Sequence, residues 1–339
     1  MTDAKYTPEE IIAKLQAHPK FGSQIKPITK HQSAIISSGL EPAVVIAGAG
    51  SGKTETMSNR VLYLVANGFA TPDQILGLTF TRKAAGELSV RIRKRLRQLS
   101  QLPEFKHITS NSTAVTTYHS YAGKLLSEHA IRYGIDADVQ PLGEAALWMS
   151  ANKLVREWDD GTFATSDAAS TVVKDLLGLT SMILEHRVTL AQIREADEKV
   201  LHEVAAMTGQ TNDETRKVAK VLQQRMAMLP MVEAFLEARR QSGELSFDDQ
   251  IALAADIAVN FPDVGVLERA KYPIVLLDEY QDTSQSQVRM LSALYGNFVS
   301  ETGHPVMAVG DPSQAIYTWR GASAGTMASF HKYFPKAAG

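Results

Sequence analysis

The chain has 339 residues, 44% of them hydrophobic, enough to bury one large core or two moderate ones, so one to three structural units are expected. Its formal net charge of −2 excludes a chain-wide basic footprint, and any surface for nucleic acid must be local. The absence of cysteine excludes disulfides, thiolate zinc sites and iron–sulfur clusters within these residues, and the polar start MTDAKYTPEE, with no run of about 18 apolar residues anywhere, reads as a soluble cytoplasmic chain with no membrane segment.

Thr7-Pro8-Glu9-Glu10 opens a helix, with Thr7 as N-cap, Pro8 at the first helical position and Glu10 closing a capping box. Thr29 opens a second, with Gln32 in the place of Glu10. The apolar run Ala43 to Ile46 predicts a strand, and it feeds directly into Ala47 to Thr54, AGAGSGKT. Gly48, Gly50 and Gly52 permit turns that point successive N–H groups at a β-phosphate. Ala49 to Thr54 then form a phosphate cradle: Gly50, Ser51 and Gly52 lead into a helix N-terminus that favours an anion, Lys53 neutralises the β- and γ-phosphates, and Thr54 sets its hydroxyl on Mg²⁺. The general pattern G-x-x-x-x-G-K-[ST] asks for glycine at 47, where this chain has Ala47; alanine allows the same tight turn at negative φ.

The helix after the loop reads to about Val65. Thr71-Pro72-Asp73 marks a short turn before a strand over Ile75 to Phe80, and the helix that follows carries an apolar stripe at Leu88, Ile92, Leu96 and Leu99. Around that stripe run Arg91, Arg93, Lys94, Arg95 and Arg97, either a solvated face or a local phosphate-tracking surface. Thr113 to Thr117 is a third strand. From about Ser127 to Gly243 the pattern changes to long helical periodicities, including Ala145 to Trp158, Ala168 to Leu184 and Asp213 to Arg240, with Trp148 and Trp158 read as packing residues. Two more strands come late, Ile274 to Leu277 and Pro305 to Val309. Strands alternating with helices indicate a parallel α/β sheet, interrupted by a helical insertion. The expected boundaries are 1–126 and 244–339 for the two parts of the α/β domain and 127–243 for the insertion.

The strand Ile274 to Leu277 delivers Asp278 and Glu279 at its carboxyl end, where the phosphate loop of a parallel sheet also sits. Asp278 is assigned to Mg²⁺ through water, and Glu279 to positioning and deprotonating the attacking water. Asp311-Pro312 reads as another helix start, which puts Gln314 on its first turn. Tyr317 and Trp319 are two residues apart and cannot share a helix face, so at least one leaves the core. An exposed tryptophan stacks a base for about 1–3 kcal/mol regardless of sequence.

In order along nearly the whole chain, ITKHQSAI, AGAGSGKT, LTFTRKAAGEL, TYHSYAGKLL, LSFDDQI, LLDEYQDTSQSQ and VGDPSQAIYTWRGA resemble the first half of UvrD/Rep-type superfamily 1A DNA helicases, a family in which alanine at position 47 is ordinary. The resemblance implies a RecA-like P-loop parallel sheet flanked by helices with an inserted, mostly helical subdomain. It also implies ATP- and Mg²⁺-dependent 3′-to-5′ movement on single-stranded DNA and its junctions with duplex, in repair or recombination. Gln32, a capping-box residue by local pattern, becomes the reader of the adenine edge; Gln281 links the γ-phosphate region to the DNA surface, and Gln314 senses the γ-phosphate. Phe80, Thr81, Arg82 and Lys83 fall in a single-stranded DNA contact in which Arg82 replaces the usual asparagine, and the segment Tyr118-His119-Ser120 falls in another, with His119 as donor. Trp319 becomes a base platform, Tyr317 a second contact, and Arg320 lies beside them.

Ser246-Phe247-Asp248-Asp249 resembles the return to the ATPase domain, and locally reads as a helix cap. The second RecA-like domain, which supplies charge-stabilising arginines in such motors, is expected beyond Gly339, so weak hydrolysis is expected of this stretch alone. Rival readings are a nucleotide-gated nucleic-acid-binding module without motor activity, an RNA-directed motor, and the motor subunit of a helicase–nuclease complex, the last suggested by Ala322-Ser323-Ala324-Gly325. Intact Lys53, Asp278, Glu279 and Gln314 argue against a decayed motor.

Overall fold

The computed structural model describes residues 4–108, 113–134, 141–158, 169–207, 213–296, 303–316 and 325–335. Two compact units divide the chain, Met1–Leu125 with Ala254–Gly339, and Leu126–Leu253.

Among the described residues the first unit is built on five parallel strands: β1 (Ala43–Ile46), β2 (Ile75–Thr79), β3 (Ala114–Thr117), β4 (Ile274–Leu277) and β5 (Val306–Gly310). Each lies within a residue of its predicted ends. Their order across the sheet is β1-β5-β4-β2-β3. The register sets Val45 beside Val309, Leu276 beside Met307, and Leu76 between Val275 and Ala114. β2, β4 and β5 are buried along their whole length, as expected of strands covered on both faces, whereas the edge strand β1 is only half-buried and ends on an exposed Ile46.

Helices cover this sheet. In chain order they are α1 (Pro8–Gln16), α2 (Lys30–Ile36), α3 (Lys53–Ala66), α4 (Arg82–Leu99) and α5 (Tyr118–His129), and after the insertion α10 (Phe247–Asn260), α11 (Pro262–Lys271), α12 (Gln285–Leu291), α13 (Gly325–Ala328) and α14 (Phe330–Tyr333). Both expected capping boxes form: Thr7 with Glu10 at α1, and Thr29 with Gln32 at α2. The stripe Leu88, Ile92, Leu96 and Leu99 of α4 is buried, together with Ile11, Leu15, Leu62 and Leu276, in one apolar cluster.

Arg60, deep in α3, is 3% exposed and faces no carboxylate among its hydrogen-bond partners. Its guanidinium donates to the carbonyls of Ile36, Ser38 and Gly39, tying the end of α2 and the chain before β1 onto α3. Burial pushes its pKa down to about 10.

The second unit contains α6 (Glu144–Glu157), α7 (Ala169–His186), α8 (Leu190–Ala206) and α9 (Asp213–Ser242). Its core gathers Ala151, Val173, Leu176, Val232 and Phe235, with Trp158 packed against them. Trp148 departs from the expected packing role and is exposed. The inward stripe of this segment runs through Leu147, Ala151, Leu154 and Trp158, at spacings of three and four, and passes Trp148 by one position. Arg225 of α9 makes a forked contact with Asp197 of α8, a carboxylate that is 1% exposed. Among the described residues no single helix is long and apolar enough to cross a membrane.

Just ahead of β5, His304 is buried, its ring stacked 5.1 Å from that of Tyr295 and its Nε2 3.0 Å from the carbonyl of Tyr272. Burial pushes its pKa down from 6.5 to about 4, with the charge of Arg269 acting in the same direction. A folded pKa below the unfolded one means that the unfolded chain binds the extra proton between those values. Stability from this group is therefore complete above pH 6.5 and is lost as pH falls towards 4, by on the order of 3 kcal/mol in all. Urea unfolding between pH 7.5 and 4.5 should show a steeper loss for the wild type than for His304→Gln, and parallel pH profiles would contradict this account.

Candidate nucleotide and nucleic-acid site

All five strands are parallel, so their carboxyl ends line one edge of the sheet. At that edge β1 delivers the glycine loop, β5 delivers Asp311 and Gln314, β4 delivers Asp278 and Glu279, β2 delivers Phe80, and β3 delivers His119. Apart from Gln32 on α2, the residues assigned to nucleotide thus follow three adjacent strands, and those assigned to nucleic acid at the ends of β2 and β3 follow the other two. The group Tyr317, Trp319 and Arg320, with Ala322 to Ala324, lies outside the described residues.

In the loop, Gly50 and Gly52 have φ of +75° and +85°, the left-handed region that side chains oppose. Gly48 does not, so its glycine is not required by backbone conformation, contrary to the sequence expectation. Gly52 is the N-cap of α3 and no side chain caps that end, so N–H donors of a 14-residue helix face the loop without a side-chain acceptor. Gln32 completes its capping box, Oε1 accepting from Thr29 N at 3.0 Å, while its Nε2 donates to the Ser51 carbonyl at 3.1 Å. The amide assigned to adenine is therefore engaged at both ends, on its own helix and on the phosphate loop. A Cβ at position 52 would come within 2.9 Å of that Nε2.

Lys53 Nζ lies 3.7 Å from Glu279 Oε2 across the edge of the sheet. Asp278 is 5% exposed, and burial followed by the charge of Glu279 pushes its carboxyl up to about 6. Its Oδ1 is buried with no hydrogen-bond partner. An orphaned carboxylate oxygen at the mouth of a phosphate cradle fits a divalent cation. No cluster of three or more His, Cys, Asp or Glu stands ready to cage a metal among the described residues, and the donor set suits an ion shared between Asp278, the Thr54 hydroxyl and phosphate oxygens.

Glu279 itself is held at φ +49°, ψ +42°, an uncommon conformation for a residue with a side chain. Gln281, 1% exposed, donates from Nε2 to Glu279 Oε2 at 2.8 Å and to Asp282 Oδ2 at 3.2 Å, and accepts on Oε1 from Asp311 N at 3.0 Å. Asp311 caps its turn as expected, Oδ1 accepting from Ser313 N. Its other oxygen accepts from Gln314 Nε2, and these two bonds hold its carboxyl below the usual range. Gln314 lies on a single 3₁₀ turn, Pro312–Gln314.

Phe80 is half-buried, while Thr81, Arg82 and Lys83 are exposed at the start of α4, where Thr81 Oγ1 accepts from Ala84 N as N-cap. His119 is half-buried at the start of α5. Tyr118, in the same motif, is turned fully inward, and its hydroxyl donates to the Asp278 carbonyl at 3.1 Å. The basic run on α4 is partly committed inside the protein: Arg91 and Arg95 pair with Glu55, one residue past Thr54, at 3.0 and 2.6 Å. Sequence reasoning did not foresee the bond of Tyr118 to the Asp278 carbonyl, that of Asp282 to Ile316 N, or the pairing of Glu55 with Arg91 and Arg95, because each joins residues far apart in the chain, which spacing does not encode.

The sequence profile of the UvrD/REP helicase N-terminal domain matches residues 28–335, and the chain belongs to that family. It is 26% identical over 309 residues to the ATP-dependent DNA helicase PcrA of Staphylococcus aureus, covering 90% of this chain and 36% of that protein. To DNA helicase II of Rickettsia typhi it is 28% identical over 301 residues, covering 86% and 38% respectively. The chain therefore spans little more than a third of the length of the curated relatives it matches.

Gly52→Ala should both strain the left-handed N-cap and press on Gln32 Nε2. A loss of about 1 kcal/mol in denaturant unfolding, with weaker nucleotide binding by calorimetry, is the expected outcome; unchanged stability and binding would contradict the geometry.

Proposed function

We propose that the chain is the ATP-binding amino-terminal portion of a DNA helicase or translocase that couples ATP hydrolysis to 3′-to-5′ movement on single-stranded DNA. The observation that carries this reading is the meeting of Lys53 and Glu279 at 3.7 Å beside the buried, unpartnered Oδ1 of Asp278, in a chain of this helicase family. The names of the relatives, ATP-dependent DNA helicase and DNA helicase II, support ATP as nucleotide and DNA as track.

In this reading the loop Ala49 to Thr54, which includes Lys53, binds the polyphosphate, Gln32 contacts adenine, Gln314 senses the γ-phosphate, and Gln281 links the γ-phosphate region to the DNA surface. Thr54 and, through water, Asp278 would hold Mg²⁺, which would neutralise phosphate charge when bound. Glu279 orients the attacking water and takes its proton. Phe80, Thr81, Arg82, Lys83 and His119 contact the strand, joined by Tyr317, Trp319 and Arg320, and the substrates include junctions of single strand with duplex. A second RecA-like domain elsewhere in the full-length protein supplies the opposing wall of the ATP site, where arginines of this kind contribute about 10³- to 10⁵-fold. The setting is cytoplasmic DNA repair or recombination.

Single-turnover ATP hydrolysis by the full-length protein should rise when an oligo-dT is added, and the absence of any rise would sink the motor reading. Glu279→Gln should slow hydrolysis by about 10²- to 10⁴-fold while retaining nucleotide binding. Trp319→Ala should weaken single-strand binding by about 1–3 kcal/mol with nucleotide affinity intact; equal losses in both would mark Trp319 as structural.

A further inference from the structure

The backbone of Asp278 is held from two directions. Its N–H donates to the Leu78 carbonyl of β2 at 2.8 Å, and its carbonyl accepts from the Tyr118 hydroxyl of α5 at 3.1 Å. The carboxyl lacks a matching anchor, since Oδ1 is buried without a hydrogen-bond partner. β2 pairs in parallel with β4, Leu78 level with Leu277, and the next step brings Thr79 level with Asp278. Residues level on adjacent parallel strands project to the same face, with their strands about 4.8 Å apart. Thr79 is fully buried, and its Oγ1, like Asp278 Oδ1, has no partner. Burial and the charge of Glu279 raise the pKa of the Asp278 carboxyl, and the Thr79 hydroxyl is near enough to be among the groups acting against them. On the other flank Thr117 of β3, level with Thr79, is already engaged: its hydroxyl donates to Ser120 Oγ at 2.9 Å and accepts from Ser120 N at 3.1 Å.

Two unpaired polar atoms side by side in the interior cost stability, and these two stand where the donor set fits a divalent cation. We propose that Thr79 is a positioning residue of that cation site: its hydroxyl donates to the Asp278 carboxylate and so fixes the oxygens that Asp278 offers to the ion. The inference rests on the nucleotide-site reading above and adds a residue to it. An ionised carboxylate accepts in about four directions, and an ion approached through water uses only some of them. A donor on one oxygen restricts rotation of the group and leaves the other oxygen turned to the edge of the sheet. Threonine is itself stiff at χ1 because its Cβ is branched, so the hydroxyl is held in place by its own side chain. Thr79 touches neither the ion nor the phosphates in this scheme; it acts through Asp278.

The test uses the full-length protein with Mn²⁺ as the probe, since electron paramagnetic resonance separates free from bound ion. Wild type, Thr79→Val and Thr79→Ser are compared in three measurements: Mn²⁺ affinity in the presence of ADP, ADP affinity in EDTA, and the thermal unfolding midpoint in EDTA. Thr79→Val keeps the shape and drops the hydroxyl, so it should weaken Mn²⁺ binding by about 10- to 100-fold. Its ADP affinity in EDTA should be unchanged and its midpoint unchanged or higher, because an unpaired buried hydroxyl has been removed. Thr79→Ser keeps the donor and should bind Mn²⁺ nearly as the wild type does. Wild-type Mn²⁺ affinity in Thr79→Val, or equal losses in the valine and serine variants, would overturn the Thr79 proposal and leave the nucleotide site standing. A lower midpoint or weaker ADP binding in EDTA for Thr79→Val would also overturn it, as the mark of a hydroxyl that the fold itself needs. A wild type that binds neither ADP nor Mn²⁺ would remove the parent reading and this inference with it.

Discussion

The intervention of β5 between β1 and β4 is the constraint on which the candidate site depends. Adjacent strands lie about 4.8 Å apart, so the glycine loop and the acidic pair start about 10 Å from one another, too far for direct contact between short side chains. Lysine is long enough to cross, and Lys53 Nζ reaches 3.7 Å from Glu279. The strand between them ends in Gly310, which projects no side chain into the gap and leaves the space that Gln281 occupies. An intervening strand with any larger terminal residue would fill the place where the two halves of the site communicate.

Local penalties gather at this same edge. The helix α3 begins without a side-chain cap, Asp278 buries an oxygen that nothing satisfies, and Glu279 adopts a left-handed backbone conformation. Other helix starts are closed locally: threonine or serine capping boxes begin α1, α2, α8 and α12. An uncapped helix start and an unmet carboxylate oxygen at the mouth of a phosphate loop are features that a charged, many-oxygened ligand would complete.

Much of this arrangement could be read from adjacent residues. AVVI and IVLL, each running into a polar loop, gave away β1 and β4, and Thr29-x-x-Gln32 announced a helix start. What spacing could not reveal was strand order, because hydrophobic runs say that strands are buried and not which neighbours they choose. Tyr118 meets the Asp278 carbonyl only because β3 and β4 both flank β2. The pairing of Arg91 and Arg95 with Glu55 likewise needed the packing of α4 on α3, and it turned two members of an apparently solvated basic run into internal braces. Gln32 was legible as two things at once, a capping residue and a nucleotide contact; the fold showed that its two amide ends divide between its own helix and the phosphate loop.

The grip of Arg60 on Ile36, Ser38 and Gly39 has a consequence for how this protein can vary. The guanidinium binds carbonyl oxygens, which every residue offers, so it recognises the path of the backbone and is indifferent to the side chains along it. Residues 36–39 are thus free to change identity wherever packing allows, yet a single insertion or deletion there would carry the carbonyls out of register with a rigid planar fork. The connection between α2 and β1 has the appearance of an ordinary surface loop, tolerant in spelling and intolerant in length.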